Sequence, residues 1–178
     1  TSSKPAFLTE GNMTSAEKGT AMHTFMQYCD YDNARNDLET EIARLVSYSY
    51  LTAEQAKVFD RGKLTAFFTS DFAKRIFGGD RVYREFKISA FVPVNKIENT
   101  DFDDKVLVQG IADCVFEENG ELVLVDYKTD RAQSEEELLG KYKNQIAFYK
   151  YAVEKSLKMP VKQAALYSFY LNKPCIYK

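Results

Sequence analysis

Hydrophobic positions recur every three to four residues through the first eighty or so residues, and the period shortens to two for much of the remainder. Residues 1–13 read as a poorly structured lead-in. Thr14 and Glu17 then form a T-x-x-E capping box. It predicts a helix to about Cys29, with Met22, Phe25, Met26 and Cys29 on the apolar side. Residues 37–50 carry Leu38, Ile42, Leu45 and Val46 at helical spacing. Thr52 and Gln55 suggest another cap and a short helix to about Phe59, and residues 63–77 predict a further helix ended by Gly78 and Gly79. From Arg81 to Val92 the pattern alternates: Val82, Phe86, Ile88, Ala90 and Val92 are interleaved with Tyr83, Glu85, Lys87 and Ser89, as in a strand. Residues 95–104 are polar and acidic and predict a loop. Residues 106–116 and 121–128 predict two strands joined at Asn119-Gly120, a strong hairpin signal. Ser134 and Glu137 cap a long helix to about Leu157, stopped before Pro160, and residues 161–171 predict a last strand. This order predicts an α/β fold: one domain over residues 1–178, mainly helical over 14–80, with a mixed central sheet over 81–171 flanked by helices. The long helix has the length of a crossover connection.

The hairpin carries the first chemistry. With Asn119 and Gly120 as the central turn residues, Glu118 faces Glu121, Val115 faces Leu124, Asp113 faces Asp126 and Ile111 faces Lys128. Asp113 and Asp126 then lie opposite one another, with Lys128 two residues along on the same face. The other face carries Cys114, Phe116, Val123, Val125 and Tyr127 and reads as core. Cross-strand partners have Cβ atoms about 4.5–5.5 Å apart. At an effective dielectric near 20, two negative charges at about 5 Å repel by roughly 3 kcal/mol. Something compensates: one acid is protonated, Lys128 bridges the two, or a divalent cation sits between them. Two converging carboxylates suit Mg²⁺, a hard ion that prefers oxygen. An Asp–Asp–Lys network that is purely structural gives the same pattern, and a bulge would put the acids on opposite faces.

Composition narrows the field. At 178 residues and 45% hydrophobic, the chain can bury one core. A net charge of -2 is unlike that of a basic nucleic-acid coat protein, so any DNA-binding reading rests on a site. Cys29, Cys114 and Cys175 are far apart, form no C-x-x-C pair and are one short of the four thiolates that usually hold an iron–sulfur cluster; they argue for a reducing compartment. No apolar run approaches the roughly 20 residues of a membrane helix, and no secretory signal opens the chain. There is no G-x-x-x-x-G-K-[ST] loop, so no ATP site is expected in this chain. The start at Thr1 without Met suggests a domain excised from a larger protein.

Four short motifs add to this. Asp126-Tyr127-Lys128-Thr129-Asp130 resembles the D-Y-K-T-D signature of the RecB-like nucleases of the PD-(D/E)xK superfamily. Gly110-Ile111-Ala112-Asp113 resembles the preceding G-I-x-D motif. Gly19 through His23 resembles G-x-x-x-H on an early helix, and Gln145 through Tyr149 resembles Q-x-x-x-Y on the helix after the D-Y-K-T-D strand. All four stand in the family's order. Lys18 through Thr24 and Val108 through Ile111 look especially like the C-terminal nuclease domain of AddA-type helicase–nuclease subunits.

The resemblance implies a restriction-endonuclease-like sheet and a Mg²⁺-dependent DNA exonuclease, with Mn²⁺ as the alternative ion. It implies that His23, Asp113, Asp126 and the backbone carbonyl of Tyr127 hold the metal, and that Lys128 is the catalytic lysine. Gln145 and Tyr149 would support the site or touch DNA, and Glu85 matches the family's more variable upstream acid. It further implies a helicase motor elsewhere in the parent chain that feeds in a DNA strand, a second, AddB-type protein in the complex, and double-strand-break processing in the bacterial cytoplasm. Two other readings stand beside it: a nuclease-fold scaffold that binds DNA or a partner without cutting, and a free-standing endonuclease or resolvase.

Single residues admit plainer readings. His23 is the only histidine, and beside Met22, Phe25 and Met26 a lone His is ordinarily packed or on the surface. Gly19 costs a helix about 1 kcal/mol relative to Ala, which close approach of another backbone would justify. Tyr142, Gln145, Ile146 and Tyr149 form a stripe that packs a helix on a sheet in any case. Arg81, Arg84, Lys87, Lys141, Lys143 and Lys150 are candidate phosphate contacts or solvated charges.

Overall fold

The computed structural model describes residues 13–96, 100–101 and 104–178. The expected lead-in, except Met13, and part of the 95–104 loop lie outside these. Among the described residues six helices come first: α1 (Ser15–Tyr28), α2 (Tyr31–Asn36), α3 (Leu38–Ser47), α4 (Ala53–Lys57), α5 (Arg61–Thr69) and α6 (Asp71–Phe77). Strands β1 (Val82–Pro93), β2 (Lys105–Glu118) and β3 (Glu121–Lys128) follow, then α7 (Glu135–Leu157), β4 (Val161–Ser168) and β5 (Lys173–Tyr177). The sheet order is β1-β2-β3-β4-β5. Every neighbouring pair is antiparallel except β3 and β4, which run parallel because α7 carries the chain back. The predicted mixed sheet with a helical N-terminal part is thus found.

Each face of the sheet has its own core. Cys114, Phe116, Val123, Val125 and Tyr127 pack with Phe25, Leu64, Phe67 and Phe68 of the N-terminal helices. Val115, Leu122, Leu124 and Leu166 pack instead with Leu138, Ile146 and Val153 of α7. Being covered on both sides explains why β3 is nearly all apolar, the hallmark of a central strand. Asp126 is the exception within it.

Local signals set most boundaries. The capping boxes at Thr14/Glu17 and Thr52/Gln55 both form, and Ser134 caps α7 by accepting from the Glu137 amide. Helix α7 ends at Lys158, in the left-handed region at φ 52°. Three elements differ from the sequence reading. The single helix over 63–77 is two helices, because the Ser70 hydroxyl donates to the Phe67 carbonyl and accepts from the Ala73 amide, capping a fresh start. Helix α2 was not foreseen: it buries only Ala34, so it shows no apolar stripe, and its start rests on the Asp30 cap. The last strand stops at Ser168, and the chain returns as β5, paired antiparallel to β4.

A polar cluster ties the helical layer to the sheet. The Glu118 carboxylate accepts from Arg75 Nε at 2.9 Å and lies 2.8 Å from Lys162 Nζ. Arg75 and then Lys162 hold its pKa down at about 2, against an ordinary 4.5. Because folding lowers this pKa, the ionised carboxylate stabilises the fold above pH 4.5, and that contribution is lost as pH falls toward 2. Glu118→Gln is therefore expected to destabilise by about 1 kcal/mol near neutrality, allowing for solvent screening. Thermal melts at stepped pH should show the gap from wild type closing in acid; a gap that persists there would mean that packing, not charge, is its source.

Candidate active site

The turn at Asn119 (φ 57°) and Gly120 (φ 77°) gives two consecutive residues in the left-handed region, as a two-residue hairpin turn requires. The ladder runs from Glu118↔Glu121 to Cys114↔Val125, in the register expected from the sequence. It then stops, one pair short of Asp113 and Asp126. Instead of facing Asp126 across a regular ladder, the Asp113 carboxylate turns to cap β3: its Oδ2 accepts from the Tyr127 amide at 2.7 Å. Its Oδ1 lies 3.0 Å from His23 Nδ1 on α1.

A second distortion lies alongside. Glu85 has φ 53°, an uncommon state for a residue with a side chain. Arg84 pairs with Cys114 and Phe86 with Ala112, while Glu85 and Asp113 between them are not a ladder pair. The pleat changes sides here. Tyr83 and Phe86 both pack in the α7 core, their rings 5.7 Å apart, and Ala112 joins Val115 there. The expected simple alternation of β1 is therefore wrong at Glu85: Val82 and Phe86 do not share a face through it, and Val82 is exposed. Both strands switch faces at one level of the sheet, and the acids sit at the switch.

Asp126 is 4% exposed. Burial, and then Asp113, raises its pKa. Asp126 Oδ2 forms an ion pair with Lys128 Nζ at 2.6 Å, and no other partner for this buried oxygen is found among the described residues. Lys128 also donates to Gln145 Oε1 at 3.2 Å and stands 3.9 Å from the centre of the Tyr142 ring, both on α7. The Tyr142 hydroxyl donates to Asp130, at 2.9 Å to Oδ1, and Lys141 pairs with the same carboxylate. Lys128 is thus held between an acid, an amide oxygen and an aromatic face, which fixes its ammonium group.

The other predicted residues lie around these. Gly19 brings α1 against the segment after β3: a Cβ there would meet Thr129 Oγ1 at 3.3 Å. Gly110 does the same for α7, since a Cβ would come within 2.8 Å of Tyr149 Cζ. Tyr149 accordingly packs on β2 at Gly110. Glu85 is half-buried in a cleft with Gly19, His23 and Asp113, and burial, then Asp113, raises its pKa. The His23 pKa is raised, chiefly by its hydrogen bond to Asp113. Tyr127 buries its ring in the helical core, so only its backbone is presented toward the acids. Two candidate phosphate contacts are engaged elsewhere: Arg84 donates to the Gln27 and Cys29 carbonyls and stacks on Tyr31, and Lys141 is on Asp130. The Tyr142 contact with Lys128 was not read from the sequence; its signal was its position one turn before Gln145 on one helix face.

Among the described residues, no three His, Cys, Asp or Glu side chains form a ready-made metal cage. The donors present nonetheless suit a hard divalent ion. Asp126 Oδ2 is buried with the Lys128 ammonium against it, the Asp113 carboxylate and the Tyr127 backbone are adjacent, and such an ion keeps several waters of its own.

Residues 5–176 match the family model described as PD-(D/E)XK nuclease superfamily. Over 94% of its length the chain is 37% identical to the A subunit of an ATP-dependent helicase/nuclease from Geobacillus thermodenitrificans, and 38% identical over 94% to that of Geobacillus kaustophilus. It is 40% identical over 96% to the A subunit from Clostridium perfringens. It spans about 15% of the length of each of these relatives.

Proposed function

The chain belongs to the PD-(D/E)XK nuclease superfamily, and from that premise we propose that it is the metal-dependent DNA exonuclease domain of a bacterial helicase–nuclease. The observation that carries this reading is the convergence of Asp113, Asp126 and Lys128 where β2 and β3 part. In this reading residues 1–178 are a single nuclease domain. His23, Asp113, Asp126 and the Tyr127 carbonyl hold the ion, Mg²⁺ or Mn²⁺. A bound ion of this kind supplies Lewis acidity toward a phosphate oxygen and an acidified water.

The chain's own groups do the rest. Lys128 presents a fixed positive charge to the scissile phosphate, where negative charge builds as water adds and the P–O bond to the leaving oxygen breaks. Gln145 holds that ammonium through its carbonyl oxygen, and its amide nitrogen can donate to phosphate or water. Tyr142, anchored by Asp130, supports the other side. Glu85 lines the approach. The relatives are named as the A subunit of an ATP-dependent helicase/nuclease, which supports a parent chain with a motor and at least one further subunit; delivery of one DNA strand at broken ends, in the cytoplasm and with an AddB-type partner protein, extends that reading.

The test compares end-labelled linear single strands with circular single strands in Mg²⁺ and in EDTA. Shortening of the linear strand from an end, in Mg²⁺ only, is the expected result. Cutting of the circle would replace the exonuclease with an endonuclease, and cleavage that survives EDTA would remove the metal.

A further inference from the structure

The outer halves of β1 and β2 form a two-stranded arm with unlike faces. One face packs on α7 through Phe86, Ile88, Ala90 and Val108, with Tyr149 against Gly110. The other is bare among the described residues. There Phe91 is 67% exposed, Leu107 51% and Ile111 45%. Phe91 pairs with Leu107, Ser89 with Gln109 and Lys87 with Ile111, so these six side chains form one continuous strip. Exposed apolar side chains rimmed by polar ones are a surface on which a ligand can settle.

Two features say what occupies it. The first is direction. Ile111 and Asp113 lie on the same side of β2, and Lys87 stands two residues from Glu85, so the strip runs straight into the acids. At about 3.4 Å per residue it extends some 20 Å from Asp113 to Leu107. The second is chemistry. Between Glu85 and the acidic connection at residues 98–104, this face carries Lys87 and Lys105 and no acid. An aromatic ring and aliphatic side chains interleaved with lysines suit bases that stack and phosphates that need a counter-charge. A protein occupant has no need to end at a pair of carboxylates.

We propose that this strip is a guide for single-stranded DNA, stacking a base on Phe91, packing neighbouring bases against Leu107 and Ile111, and leading the backbone past Lys87 to the Asp113 site. The assignment rests on the nuclease reading above. It makes the arm a specificity element, because an unpaired strand exposes its bases to the strip and a duplex does not.

The test measures binding by fluorescence anisotropy, in EDTA so that nothing is cut. Labelled thymidine oligonucleotides about 20 and about 3 residues long are titrated with wild type and with the double variant Phe91→Ser/Leu107→Ser. Base stacking on one aromatic side chain contributes about 1–3 kcal/mol, so loss of Phe91 alone should make the double variant bind the long strand at least about fivefold more weakly. The short strand should bind both proteins alike, and the melting temperature should not drop, since both side chains are exposed. Equal binding of the long strand by both proteins overturns the guide; if wild type still cleaves in Mg²⁺, the nuclease reading survives and the strip is left to a protein partner. Absence of both binding and cleavage in wild type would remove the nuclease reading, and the guide with it.

Discussion

Asp126→Asn is expected to lower the cleavage rate by at least about 10³-fold, the scale on which losing one member of a catalytic constellation costs, while leaving the protein as stable as wild type or more so. The two halves of this expectation have one cause. Asp126 is almost wholly buried, and its carboxyl is raised by that burial and by Asp113. A pKa raised by folding means that the ionised form opposes folding at neutral pH. Asparagine resembles the protonated acid in shape and removes that opposition, but it cannot offer the charged oxygen that a hard cation prefers. Single-turnover cleavage and thermal melting on the same preparation check both halves. Retained cleavage would take Asp126 out of the site, and a large fall in melting temperature would make it a structural residue.

Replacing Lys128 should separate chemistry from binding. Lys128→Met keeps an unbranched apolar chain, one atom shorter, and removes the ammonium that stands over the Tyr142 ring. Loss of one preorganised group that stabilises developing charge costs about 10²–10³-fold in rate, so kcat should fall by that factor with KM for a DNA strand little changed. Lys128→Arg is not expected to rescue. The pocket between Asp126, Gln145 and Tyr142 is built for a compact ammonium, and a planar guanidinium directs its donors differently. If KM rises while kcat holds, Lys128 is a binding residue; if arginine restores the rate, charge alone matters and the surrounding cage does not position it.

Legibility from sequence differed by element. The hairpin was readable because Asn119-Gly120 satisfies a local demand for two left-handed residues, and its register carried through to Cys114↔Val125. The face of Cys114, Phe116, Val123, Val125 and Tyr127 was readable as core because alternation holds along that stretch. Helix α2 and strand β5 were not readable. The first buries almost nothing, and the second is only five residues beyond a turn at Asn172. In the site, Asp113, Asp126, Lys128 and Gln145 were identifiable as types and spacings, whereas the partner each side chain takes was not.

Local signals in the chain thus determined the capped helices, the tight hairpin and the order of helices and strands that makes a mixed sheet, because caps, turns and periodicity act over a few residues. Only the tertiary structure decided how the acids are used. A positive φ at Glu85 breaks the alternation of β1, and Asp113 leaves the ladder to bind the Tyr127 amide and His23, which stands 90 residues away in sequence. Lys128 is caged by α7 on the other side. Those contacts arise where the helical layer and α7 approach opposite faces of one sheet, and no pattern within a single strand encodes the distance between them.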